Sequence, residues 1–357
     1  MRARGVGTGV RDDEHAGFDR PRRTRPRTKD RPDYSDAPVG MVVTIDRGRY
    51  RVIVEEEAPA AGTKGARPAA KKKAARDTEL RHVTAAKARQ LGRMGVIVGD
   101  RVRLDGDVTG EEGTLARIVE VLERRTVLRR TADDDDPYER AIVANADQLV
   151  IVTALADPPP RVGMIDRIMV AAFDAGIEPM LLLTKADLAS PDALSAAYTP
   201  LGVPVLATQP GSDLDELRAW LAGHRTVFVG HSGVGKSTLV NALIPGAGRT
   251  TGVVNDVTGR GRQTSTSAVV LELPLSDDLP TGWVIDTPGV RSFGLSHVTR
   301  ESILSAFADL EAFTADCPRG CTHETGAPEC ALDLAVERGE LAPARLESFR
   351  RMLGTNQ

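Results

Sequence analysis

The chain has 357 residues, enough for two or three domains, and is 41% apolar but only 4% aromatic, so its cores must be mostly aliphatic. No apolar run approaches the roughly 20 residues of a membrane helix, and the Arg-rich N-terminus lacks the apolar stretch of a secretory signal. The net charge of −3 hides a split: residues 1–110 hold 25 Lys and Arg against 16 Asp and Glu, while the remainder hold 22 against 34. A basic front half fits contact with a polyanion, and a solvated basic tail is the plainer alternative. The three cysteines cluster at Cys317, Cys321 and Cys330, unlike a secreted disulfide framework, and fit a reducing cytoplasm.

In chain order, residues 1–37 lack apolar periodicity and read as a basic disordered tail. Val39 to Glu57 shows two β-rich runs around Asp46-Arg47-Gly48, a hairpin signal. A basic insertion follows at 58–93 and includes Lys71, Lys72 and Lys73. Further strands are expected at Gly99–Leu104 and within Gly113–Arg130. Short strands with turn signals predict an OB-type β-barrel over residues 38–130, with an SH3-like barrel as the alternative. An acidic link, Thr131–Arg140, leads into strands alternating with helices. Strands are expected at Asp147–Leu155, Glu178–Thr184, Val203–Thr208, Arg225–Gly230, Ala268–Leu275 and Thr281–Asp286. Helices are expected at Ile165–Gly176 and Asp213–Gly223. This rhythm predicts an α/β domain over 131–296 whose ligands sit at the strand C-termini. Glu301–Phe313 carries Ile303, Phe307 and Leu310 at helical spacing and opens a helical domain over 297–357.

Three motifs fall at strand ends. Gly230, His231, Ser232, Gly233, Val234, Gly235, Lys236 and Ser237 match G-x-x-x-x-G-K-[ST], with Thr238 continuing into a helix. Small residues let backbone N–H groups wrap phosphates; Lys236 adds charge there and Ser237 offers a hydroxyl to Mg²⁺. Asp286-Thr287-Pro288-Gly289 reads as D-x-x-G, with Asp286 beside the Mg²⁺ shell and the Gly289 N–H toward the γ-phosphate. Thr184-Lys185-Ala186-Asp187 reads as a guanine reader. The Asp187 carboxylate accepts from the guanine N1–H and amino group, a donor pair adenine lacks. The usual first residue is Asn, and Thr184 departs from it. The guanine reader precedes the phosphate loop, the reverse of the usual order. A parallel sheet tolerates such a circular permutation when its original ends lie close together.

With GRGRQTST (Gly259 to Thr266), VIDTPGVRSFGL (Val284 to Leu295) and CPRGCTH (Cys317 to His323), these motifs resemble the circularly permuted YjeQ/RsgA GTPases of the bacterial small ribosomal subunit. The resemblance runs from about residue 38 to the end and implies the order OB barrel, permuted P-loop GTPase, zinc-binding helical domain. It implies a GTPase that binds the small (30S) ribosomal subunit and its rRNA, assists late maturation, and hydrolyses GTP under ribosome stimulation. A cytoplasmic monomer with no membrane contact is expected. The competing readings are a GTPase of large-subunit or tRNA processing, and an RNA-binding chaperone with vestigial nucleotide binding.

Many GTPases place a Gln just after D-x-x-G to orient the attacking water. Val290 stands there and cannot do so. The family's switch I motif supplies a His, where this chain has Gln263. An amide can position water but cannot take its proton. Gln263 and Lys236 are therefore the expected catalytic residues, and Thr264 of switch I joins Ser237 on Mg²⁺, with Thr266 as the alternative. Finally, Cys317, Cys321, His323 and Cys330 supply three thiolates and an imidazole, a closed tetrahedral set for one structural Zn²⁺ per chain.

Overall fold

The computed structural model describes residues 33–54, 80–92, 94–131, 139–247, 268–274, 279–289, 293–295, 298–305 and 307–354. Most of the expected tail, switch I, and residues 58–79 of the insertion, Lys71–Lys73 among them, lie outside the described residues; the later part of the expected insertion is no loop, because His82–Lys87 forms a barrel strand. Residues from Tyr34 onward form one compact unit.

Strands β1 (Val39–Asp46) and β2 (Arg49–Val54) pair antiparallel. Arg47 and Gly48 between them both take positive φ, 45° and 78°, which a two-residue hairpin of the right twist requires. With β3 (His82–Lys87), β4 (Arg101–Gly106) and β5 (Ala116–Val121) they close a barrel in the order β1-β2-β3-β5-β4. Its interior is aliphatic, built on Val42, Val52, Val83, Val102, Leu104 and Ile118. The barrel strands end at Val121. Strand β6 (Val127–Arg130), expected within the barrel, instead pairs with β7 (Arg140–Ala144) in a separate two-stranded sheet. The acidic link thus joins two strands instead of separating two domains.

The second sheet runs β8 (Gln148–Ala154), β9 (Glu178–Thr184), β10 (Val205–Ala207), β11 (Arg225–Gly230), β12 (Val269–Leu273) and β13 (Gly282–Asp286) along the chain. In space the order is β10-β9-β8-β11-β13-β12, parallel except for β12. From the β8–β11 seam, β8, β9 and β10 extend one way and β11, β13 and β12 the other. That seam is the topological switch point, where open α/β sheets take their ligands. Helices α1 (Val162–Asp174), α2 (Asp192–Tyr198), α3 (Asp215–Leu221) and α4 (Lys236–Leu243) connect the strands. Residues of both faces are apolar: Val150, Val152, Met180 and Phe228 pack on one side with α3 and α4, and Leu149, Ile151, Leu181 and Val229 on the other. Near-continuous apolar strands are what a sheet covered on both faces needs.

Four helices complete the chain: α5 (Arg300–Ser305), α6 (Ala308–Thr314), α7 (Ala331–Glu337) and α8 (Pro343–Gly354). The single helix expected over Glu301–Phe313 is broken. Phe307 leaves helical geometry (φ −115°, ψ 63°) and turns its ring inward, edge-on to Phe173 of α1 and Phe349 of α8. Burying one large ring against two elements outweighs the helical bonds lost at the break. Helix α8 is fastened to the α/β region by two arginines. Arg345 forks onto Asp309 at 2.9 and 2.8 Å and reaches the Pro200 carbonyl at 3.1 Å. Arg351 donates to the Ala197 carbonyl at 3.1 Å and lies over the Tyr198 ring. One apolar core therefore runs from the outside of the barrel (Met41, Val43) through the sheet to Phe349. Among the described residues no helix is long and apolar enough to cross a membrane.

Candidate active site and metal centre

The fully apolar run of β11 ends at Gly230, where a Cβ would lie 2.6 Å from the Val152 carbonyl of β8. Only glycine allows the two strands to approach so closely at the switch point. The chain then turns through Gly235, at φ 89°, into α4. This aims the loop's free N–H groups and the helix N-terminus at one spot, an arrangement that receives phosphate. Lys236 is 8% exposed; its ammonium bonds the Asp286 carboxylate and donates to the Thr287 carbonyl at 2.5 Å. Thr287 is held in turn by its hydroxyl, which donates to the Phe228 carbonyl of β11 at 2.7 Å. At Gly289 a Cβ would sit 3.4 Å from the Ser232 nitrogen. The cation of the phosphate loop and the carboxylate of D-x-x-G therefore meet because β11 and β13 are neighbours.

The TKAD segment arrives from the other side of the seam. Thr184, the last residue of β9, is buried, and its hydroxyl donates to the Val234 carbonyl inside the phosphate loop at 2.6 Å. Thr184 thus ties this segment to the phosphate loop through its own side chain. Lys185 takes a left-handed backbone (φ 60°), and its ammonium bonds the Asp157 carbonyl beyond β8. A turn closed by Leu188 N–H on the Lys185 carbonyl at 3.0 Å leaves Asp187 exposed. Replacing Thr184 by Val keeps the shape and strands the Val234 carbonyl, so stability should fall by about 1–3 kcal/mol. A denaturant midpoint equal to that of the parent would show that the bond contributes nothing net.

Two neighbours of this site escaped sequence reasoning. The Asp157 carbonyl is one. The other is the loop after β10, whose Thr208 carbonyl accepts from the Ala186 N–H at 3.1 Å. The available signal was position: VPVLAT ends at the same sheet edge as the other motifs. His231 belongs to the phosphate loop, with its Nδ1 2.8 Å from the Ser232 carbonyl. Gln263, Thr264, Thr266 and Val290 lie outside the described residues.

The metal cluster is assembled by the loop between α6 and α7. The four candidate ligand atoms of Cys317, Cys321, His323 and Cys330 lie within 4.8 Å of one another. His323 Nδ1 is 3.7 Å from Cys317 Sγ and 3.8 Å from Cys330 Sγ. Zinc bonds of ordinary length at a tetrahedral angle place sulfur and nitrogen roughly 3.6 Å apart. The donor set and its spacing fit zinc. Burial, with Cys330 and Cys321 close by, pushes the Cys317 thiol up to about 11, so thiolates gathered here call for a cation. The Ala331 N–H donates to Cys317 Sγ at 3.3 Å. Arg350 bonds the His323 carbonyl at 3.0 Å and forks onto Asp333 at 2.8 Å through each terminal nitrogen, bracing the ligand loop against α7 and α8.

A phosphate loop whose lysine meets a D-x-x-G carboxylate, with TKAD at the adjoining strand end but earlier in the chain, defines a circularly permuted GTPase. The family model described as RsgA GTPase matches residues 121–296. A protein of Pseudomonas aeruginosa named "Small ribosomal subunit biogenesis GTPase RsgA" is 42% identical over 255 residues, 69% of this chain and 72% of that one. The protein of the same name from Azotobacter vinelandii is 40% identical over 269 residues, 73% of this chain and 75% of that one. The chain belongs to the RsgA GTPase family and is a hydrolase acting on GTP. The crystal structure of YjeQ from Thermotoga maritima is similar at a TM-score of 0.62 and 25% identity, covering 89% of this chain and 98% of that one. The crystal structure of YloQ, described as a circularly permuted GTPase, shares the fold at a TM-score of 0.59 and 23% identity, covering 91% and 97%.

Proposed function

We propose that this GTPase acts in biogenesis of the small ribosomal subunit, binding that subunit through its rRNA and hydrolysing GTP faster when bound. The observation that carries the reading is the convergence of three strand-end loops on the β8–β11 seam, in a chain belonging to a family whose relatives are named for small-subunit biogenesis. Arg47, Arg49 and Arg51 are exposed on the barrel hairpin, which supports contact with rRNA phosphates alongside Lys71–Lys73. The protein would work as a cytoplasmic monomer. GTP hydrolysis measured with and without purified small subunits tests the proposal. A rate raised by small but not large subunits is expected, and a rate indifferent to both would overturn it.

In this reading the loop from Gly230 to Thr238 cradles the phosphates, Lys236 stabilises charge on the β- and γ-oxygens, and Gly289 reads the γ-phosphate. Mg²⁺, held by the Ser237 and Thr264 hydroxyls with Asp286 behind them, would neutralise the phosphate oxygens. Thr184 and Lys185 frame the guanine and Asp187 reads it. Asp187→Asn should weaken GTP binding by tenfold or more and admit other purines, because an amide cannot accept both guanine donors; unchanged affinity and selectivity would remove that role. Gln263 orients the attacking water when the subunit is bound. Gln263→Ala should keep GTP and subunit binding but lose much of the stimulated rate, and Gln263→His should retain it. A parent-like stimulated rate in Gln263→Ala would transfer the water to another group.

A further inference from the structure

Thr184 opens the guanine reader where the usual residue is Asn, and its one hydroxyl proton is already committed. Two backbone carbonyls compete for that proton, Val234 of the phosphate loop at 2.6 Å and Thr153 of β8 at 3.2 Å. The side chain is buried, and a Cβ at Gly235, the residue before α4, would lie 3.7 Å from its oxygen. A hydroxyl has a single proton to give, whereas a carboxamide has two. Asn can tie the phosphate loop and still offer an N–H to a base. Thr184 can tie the loop, and then has only a lone pair to show.

The base itself says which contact is lost. Guanine offers two donors, N1–H and the 2-amino group, to a carboxylate such as Asp187. On its opposite edge stand two acceptors, O6 and N7. O6 adjoins N1, while N7 belongs to the five-membered ring that carries the sugar and so lies toward the phosphates. Thr184, three residues before Asp187 and bonded to the phosphate loop, stands toward that side. Neighbouring donors among the described residues are engaged elsewhere. The Ala186 N–H bonds the Thr208 carbonyl at 3.1 Å, the Leu188 N–H bonds the Lys185 carbonyl at 3.0 Å, and the Lys185 ammonium is drawn to the Asp157 carbonyl. Resting on Asp187 as the base reader, we propose that this site leaves the purine N7 unread: it accepts guanine nucleotides altered at N7, and its base selectivity falls on Asp187.

Displacement of a ribose-labelled fluorescent GDP from the full chain by GDP, 7-deaza-GDP and IDP tests this. 7-deaza-GDP, with a C–H in place of N7, should bind within about twofold of GDP, because the lone pair it lacks meets no donor. IDP, which lacks the 2-amino group, should bind about tenfold or more weakly than GDP. Thr184→Asn supplies a second N–H and should favour GDP over 7-deaza-GDP by about fivefold, with a denaturant midpoint showing that it folds. If that variant does not fold, the parent's own ratio decides. A preference of the parent for GDP of about fivefold or more would overturn the inference. Loss of such a preference in Gln209→Ala would assign the N7 donor to the exposed side chain on the loop after β10. A folded Thr184→Asn without preference would show that the hydroxyl is not the cause. IDP binding as tightly as GDP is a separate failure: it would overturn Asp187 as base reader, and the N7 inference with it.

Discussion

Lys236→Ala should reduce GTP hydrolysis by about 10²–10³-fold, the usual loss when one preorganised donor to a developing charge is removed. The same change should destabilise the fold, because Lys236 and Asp286 form a buried pair with side chains only 9% and 7% exposed. Stripping one partner from such a buried pair costs about 3–5 kcal/mol. The two effects can be separated. Adding Asp286→Ala removes the other charge of the pair, so the double variant should regain much of the lost stability while hydrolysis stays low. Thermal unfolding and GTP turnover on the three variants measure this. Turnover of Lys236→Ala at the parent rate, at a temperature where that variant stays folded, would mean that Lys236 serves the fold and not the phosphates.

Chelation of zinc should produce the second large effect, and its reach is set by what else holds the C-terminal helices. The gently purified protein should carry one zinc per chain. Structural zinc contributes on the order of 10 kcal/mol or more to small sites, so its removal should open the loop from Cys317 to Cys330 and the start of α7, which Cys330 precedes. Helix α8 should loosen less, because Arg345, Arg351 and the buried Phe349 fasten it to the α/β region independently of the metal. Strands β8 to β13 should stay protected. Hydrogen exchange before and after chelation reads each segment separately. Protein without zinc, or exchange unchanged by chelation, would remove the metal from the site; uniform loosening of the sheet would show that the zinc loop supports the whole core.

The legible parts of this protein were those whose geometry is local. A phosphate loop needs only glycines, a lysine and a hydroxyl within a few residues, and a four-ligand metal loop needs only its spacing. Both could be read from Gly230–Thr238 and Cys317–Cys330. The order of TKAD before the phosphate loop also announced the permuted sheet, since motif order is a property of the chain itself. Tertiary structure decided which groups meet. The Thr184 hydroxyl finds the Val234 carbonyl, and Lys236 finds Asp286, across fifty residues of chain, because β9, β8, β11 and β13 lie side by side. Phe307 breaks a helix that its periodicity favours, because two aromatic rings from distant helices receive it. Arg130 and Arg140 face each other because β6 leaves the barrel to pair with β7. Periodicity records which face of an element is apolar; it does not record which other element will cover that face, and that choice depends on the summed packing of the whole core.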